Sequence, residues 1–146
     1  MRPAPIPSDA AGYVIEDQIG FQLRIAMQRH MAIFTQRMVG GITQTQFATM
    51  VKLYQVGPCS QTTLARLVAL DSATINGVLQ RLRARGFVSS TPDTADRRQR
   101  TATLTAKGRA AAEQALGAAT PITEETVAPL TATERRQLAR LLTKIS

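Results

Sequence analysis

Apolar side chains recur along most of this chain at helical spacing, and one short stretch trades that rhythm for β-branched runs. From Tyr13 to Val39 the stripe Ile15, Ile19, Leu23, Met27, Phe34 and Met38 predicts a single long helix, ended by Gly40-Gly41. Thr43 and Gln46 have capping-box spacing and open a second helix. Its expected buried face is Phe47, Met50, Val51 and Tyr54, and Gly57-Pro58 stops it. A third helix begins at an N-cap, Ser60, and is expected to bury Leu64, Leu67 and Val68. The fourth is capped at Asp71-Ser72 and closed by Gly86, and Ile75, Val78, Leu79 and Leu82 give it one greasy face.

The pattern then changes. Phe87–Thr91 and Arg100–Leu104 are rich in β-branched residues and flank a Pro92-Asp93 turn, which predicts a hairpin. Thr105 opens an alanine-rich fifth helix that Pro121 is expected to kink or interrupt. Thr131 and Glu134 announce a sixth, expected to bury Leu138, Leu141, Leu142 and Ile145.

Two short helices in tandem, the second polar on its outer side, make a helix-turn-helix. The fold class is therefore mainly α with a small β-hairpin wing. The expected winged helix-turn-helix covers 42–104, with dimerisation helices at 13–41 and 105–146 and a disordered or extended lead-in at 1–12. The outer helices carry more apolar surface than so small a core covers, so a homodimer is expected.

Composition narrows the partners. The chain has 146 residues and a formal charge of +8. Nine basic side chains lie between residues 60 and 110, against the acids Asp71, Asp93 and Asp96, so about a third of the chain holds most of the excess. Such a concentration points to a polyanion, double-stranded DNA. Aromatic residues are only 4%, which argues against a stacking platform for single strands. One cysteine, Cys59, excludes an internal disulfide framework. One histidine and one cysteine, well apart, argue against a metal sensor, and no cofactor is expected. No apolar run approaches the ~18 residues of a membrane span. The proline-rich start has no apolar segment of a signal peptide. A soluble, cytoplasmic protein is the expectation. No nucleophile–base pair, phosphate loop or paired carboxylates suggest an enzyme.

Several short motifs, in this order and spacing, carry a resemblance. They are Leu64-Ala65-Arg66-Leu67, then Thr74 and Leu82, Arg85-Gly86-Phe87-Val88, Asp96-Arg97-Arg98, and Leu104-Thr105-Ala106-Lys107-Gly108. Together they make the chain, from about Gly12 to Ile145, resemble the MarR family of regulators. The resemblance implies a homodimeric winged-helix protein on a pseudo-palindromic operator, usually released by a small phenolic or aromatic acid. It also implies that Arg98, at the wing tip, enters the minor groove and that Asp96 orients an arginine.

The residues suggest the remaining roles. Small side chains at Ala73, Gly77 and Ala84 leave the outward face of helix four low, with Ser72, Thr74, Asn76 and Gln80 as candidates for reading bases. Family members often carry a long basic residue where this chain has Gly77. Arg81, Arg97 and Arg100, with Ser60, Gln61 and Thr62 at the start of helix three, are candidates for phosphate contacts. Arg24, His30 and Tyr54 are candidates for an effector pocket, since a guanidinium, an imidazole and a phenol in an apolar slot suit a small aromatic acid. Two other readings stand beside this one. Cys59, next to a helix start, is a candidate redox sensor. An architectural DNA protein without an effector would show little sequence preference and a steep salt dependence.

Overall fold

A computed structural model describes residues 12–146, so most of the expected lead-in lies outside the described residues. The elements follow in the order α1 (Ile19–Arg37), α2 (Gln44–Val56), β1 (Cys59–Ser60), α3 (Gln61–Leu67), α4 (Ser72–Ala84), β2 (Val88–Pro92), β3 (Arg100–Leu104), α5 (Ala106–Thr126) and α6 (Ala132–Ile145). The wing is a three-stranded antiparallel sheet of order β1-β3-β2.

The helix starts are chemically marked. Thr43 and Gln46 form the capping box of α2, and Thr131 and Glu134 that of α6. Ser60, Asp71 and Thr105 each accept the backbone N–H three residues on. Each cap satisfies donors that the first helical turn leaves orphaned.

One core joins the winged region to α5. Met50 and Leu53 of α2, Leu64 of α3 and the α4 face Ile75, Val78, Leu79 and Leu82 pack with Phe87, Val88 and Ala102 of the wing and with Ala112 and Ala115 of α5. A smaller cluster of Ile33, Phe34 and Ile122 ties α1 to the far half of α5. Arg29 of α1 reinforces that joint by donating to the carbonyls of Glu125 and Thr126 in the last turn of α5. The first half of α5 therefore completes the winged core, while its second half carries α1.

Several expectations need correction. The first helix is not continuous from Tyr13. A single 3-10 turn at Ile15–Asp17 precedes α1, and Gln18 between them is extended. Most of its apolar stripe is exposed in one chain, with only Ile33 and Phe34 buried on α1. In α3 the buried pair is Leu64 and Ala65, whereas Leu67 is 40% exposed, because this seven-residue helix turns only one narrow face to α4. On α2 the fully buried apolar pair is Met50 and Leu53; Phe47 and Tyr54 are partly buried against the core, and Val51 does not join it. Pro121 does not interrupt α5, which runs through it. Its ring removes only one helical hydrogen bond, and Ile122 beside it is buried in the cluster that joins α5 to α1. On α6, Leu138, Leu141, Leu142 and Ile145 are all exposed, and that helix buries nothing within the chain.

Candidate nucleic-acid interface

The cap fixes the start of α4. Asp71 accepts from the Thr74 N–H through Oδ1 at 2.7 Å and from the Thr74 hydroxyl through Oδ2 at 2.9 Å. These bonds, the backbone one foremost, hold the Asp71 carboxyl below its ordinary value. They also commit the Thr74 hydroxyl proton, so Thr74 meets a partner only with its methyl group or as an acceptor. Ser72, Asn76 and Gln80 are exposed with side chains uncommitted among the described bonds. At the other end Arg85 donates to the carbonyls of Gly40 and Gly41 and stacks on Phe87, its carbon 4.6 Å from the ring centre. That clamp fixes the angle between α4 and the α1–α2 connection.

The wing tip is built on two aspartates. Asp93 Oδ1 accepts from the N–H groups of Ala95 and Asp96, and its Oδ2 accepts from the Thr101 hydroxyl. Its carboxyl is accordingly held low, chiefly by the Ala95 and Asp96 bonds. Asp96 accepts from the backbone N–H of Arg98 at 2.9 Å. Asp96 thus shapes the turn and positions the backbone of Arg98, while the ion pairs found among the described residues lie elsewhere, between Arg37 and Glu125 and between Arg135 and Glu124. Asp93 was legible only as a turn residue. Arg97 and Arg98 project exposed from this loop, while Arg100 is laid along β2, donating to the Ser90 hydroxyl at 2.8 Å and to its carbonyl.

A cleft of about 260 Å³ separates the wing from the two helices, lined by Gln61, Thr62, Ser72, Arg98, Gln99 and Arg100 among others, with no acid. The structure thus brings one phosphate-contact pair, Gln61 and Thr62, together with the wing arginines. Ser60 behaves differently. Its hydroxyl accepts from Thr63 N–H and bonds the Thr63 hydroxyl, so the cap occupies it. Strand β1 was not foreseen: Cys59 and Ser60 pair with Ala102 and Thr101 and lock the start of α3 to the wing. Two residues show no alternation, so no sequence signal marks it.

The effector candidates do not meet. Arg24 lies on the outer part of α1 over Phe21, in a surface groove with Tyr13, Ile15 and Ile19. His30 bonds Thr126 of α5 at 2.9 Å. The Thr126 hydroxyl donates to the Ile122 carbonyl, so it accepts from His30 Nδ1–H. Tyr54 donates to Glu113 of α5 at 3.1 Å, under the Arg109 guanidinium. Six positions along a helix turn Arg24 and His30 to different faces, and α5 engages the other two.

Cys59 is half-buried in β1, and desolvation pushes its thiol above the ordinary value. A reactive thiol needs the opposite shift. Peroxide is therefore expected to change DNA binding equally in the wild type and Cys59→Ser, read by gel shift. Among the described residues no group of acids, histidine and cysteine is placed to hold a metal, and no helix is long and apolar enough to cross a membrane.

The lowered carboxyls set a pH dependence. Asp71 and Asp93 have folded values below the unfolded 3.8. Their stabilisation is present above that unfolded value and disappears as pH falls through the folded one. Melting temperatures are expected to drop in acid below about pH 4, less steeply in Asp71→Asn, and to be insensitive to these groups near neutrality.

A capped helix with a polar outer face, a basic wing beside it and an acid-free cleft between them define a winged helix-turn-helix DNA-binding protein. The MarR family model matches residues 42–99. NicR of Pseudomonas putida, an HTH-type transcriptional repressor, is 39% identical over 98% of this chain and 91% of its own. A probable transcriptional regulator from Pseudomonas aeruginosa is 42% identical, with a TM-score of 0.88 over 91% of this chain and 100% of its own. BpsR of Bordetella bronchiseptica, whose DNA binding is regulated by 6-hydroxynicotinic acid, is 38% identical with a TM-score of 0.88 over 92% of this chain and 97% of its own. The chain belongs to the MarR family of transcriptional regulators.

Proposed function

We propose that the chain is a homodimeric, non-enzymatic repressor that grips a pseudo-palindromic operator and is released by a small aromatic acid. In this reading it acts in the cytoplasm. The observation that carries the reading is the shared, acid-free cleft between α3, α4 and the wing. In a dimer two α4 helices enter adjacent major grooves about one turn, on the order of 34 Å, apart. Ser72, Asn76 and Gln80 face base edges, with Thr74 as acceptor or methyl contact. Arg98 reaches the minor groove, while Gln61, Thr62 and Arg97 meet phosphates and Arg100 contributes charge from its place on β2. Ser60 serves this surface as the cap of α3.

The aromatic-acid effector is supported by the likeness to BpsR. Of the three effector candidates, Arg24 is the one on an open groove, where a guanidinium faces apolar and aromatic side chains. Its carboxylate-pairing role is therefore retained.

The test is a footprint on the DNA upstream of the protein's own coding sequence, with and without 6-hydroxynicotinic acid. An inverted repeat is expected to be protected, and the acid to abolish protection in the wild type but not in Arg24→Ala. Binding blind to sequence would overturn the reading. Arg97→Ala is expected to weaken all duplexes alike and to lower the salt slope by about 2, one contact from each protomer, measured by titration at several ionic strengths.

A further inference from the structure

Gly77 occupies the middle of the outward face of α4, and one side chain reaches the space above it. Nη1 of Arg81 lies 3.6 Å from the point where a Cβ on residue 77 would stand. The cause is local. Helical side chains lean toward the N-terminus, so a residue covers the turn before its own. The Cα of Arg81 points about 40° away from that of Gly77, on the flank of the helix. With no side chain at 77, the guanidinium swings across to the centre.

The neighbouring arginines are spent or turned aside. Arg85 is bound to Gly40 and Gly41, and Arg83 is half-buried. Arg81 is exposed, and among the described residues no hydrogen bond or ion pair holds it. No acid lies within one helical turn of it on α4.

We infer that Arg81 is a specificity residue rather than a phosphate clamp. The absence of a side chain at Gly77 delivers its planar fork to the groove face, where it reads O6 and N7 of a guanine in each half-site. The inference rests on the reading that α4 enters the major groove.

The experiment is selection of bound duplexes from a randomised inverted-repeat library by the wild type, Arg81→Gln and Gly77→Leu. The wild type is expected to select one guanine per half-site. Arg81→Gln is expected to lose roughly tenfold discrimination at that base pair alone. Gly77→Leu keeps the arginine and gains helix propensity, yet is expected to lose the same preference because leucine fills the seat. Replacing that guanine with 7-deazaguanine is expected to weaken the wild type and leave Arg81→Gln unchanged. An Arg81→Gln variant that keeps the guanine preference, or that weakens every sequence equally with a shallower salt slope, would overturn the inference. A wild type with no sequence preference would sink the major-groove reading itself, a distinguishable failure.

Discussion

Leu138→Glu/Leu141→Glu is expected to yield a folded monomer that no longer holds the operator. α6 buries no residue within the chain, yet Leu138, Leu141, Leu142 and Ile145 line one side of it at 38–65% exposure. Fully burying a leucine contributes about 1.5–3 kcal/mol, and at these exposures roughly half of that is still to be gained at each position. A stripe of four such residues on each protomer, with the exposed Ile19, Leu23 and Met27 of α1, is ample to offset the cost of association. Two glutamates reverse that balance without touching either core cluster. Circular dichroism and the melting profile should stay close to the wild type, while light scattering reports half the mass. Operator affinity should fall at least about a hundredfold, because the second half-site is no longer engaged at high effective concentration. A variant that stays dimeric would show that these leucines are not the joint.

Gly108→Ala is expected to be the most damaging small substitution in the chain. A Cβ there would stand 1.9 Å from the Phe87 carbonyl oxygen and 2.7 Å from its carbon, both backbone atoms. The approach is tight because that carbonyl also accepts from Thr105 N–H, and the Thr105 hydroxyl donates to the Gly86 carbonyl at 2.6 Å. Here the first turn of α5 is stitched to the root of the wing. Alanine is the better helix former by about 1 kcal/mol, so propensity alone predicts stabilisation. The clash wins, since overpacking against backbone costs about 1–3 kcal/mol or more. A melting temperature lower by roughly 5–10 °C is expected, with weaker operator binding as the wing loses its angle to α4. An unchanged melting temperature would show that α5 can slide at no cost.

The reading of the sequence succeeded where one local signal was enough. The caps at Thr43, Ser60, Asp71 and Thr131 all form, and Thr105, read only as the start of α5, caps it likewise, because each joins a side chain to a backbone donor three residues away. The face of α4 was legible because its four apolar residues all meet the same core. The wing strands were marked by β-branched residues either side of Pro92-Asp93. The failures concern neighbours distant in sequence. Leu67 and Leu64 are equally apolar, but only contact with α4 distinguishes them. His30 and Tyr54 belong to the expected effector slot by residue type, and only the fold shows Thr126 and Glu113 beside them.

The order and type of the helices, the turn of the wing and the side of α4 that faces outward were determined by the chain alone. Their causes act over three or four residues. The burial of Ala112 and Ala115 in the winged core, the strand at Cys59-Ser60, the Arg85 clamp and the close passage of Gly108 past Phe87 were decided only by the tertiary structure. Each depends on a contact between segments that are far apart along the chain, and such a contact leaves no periodic trace in either segment.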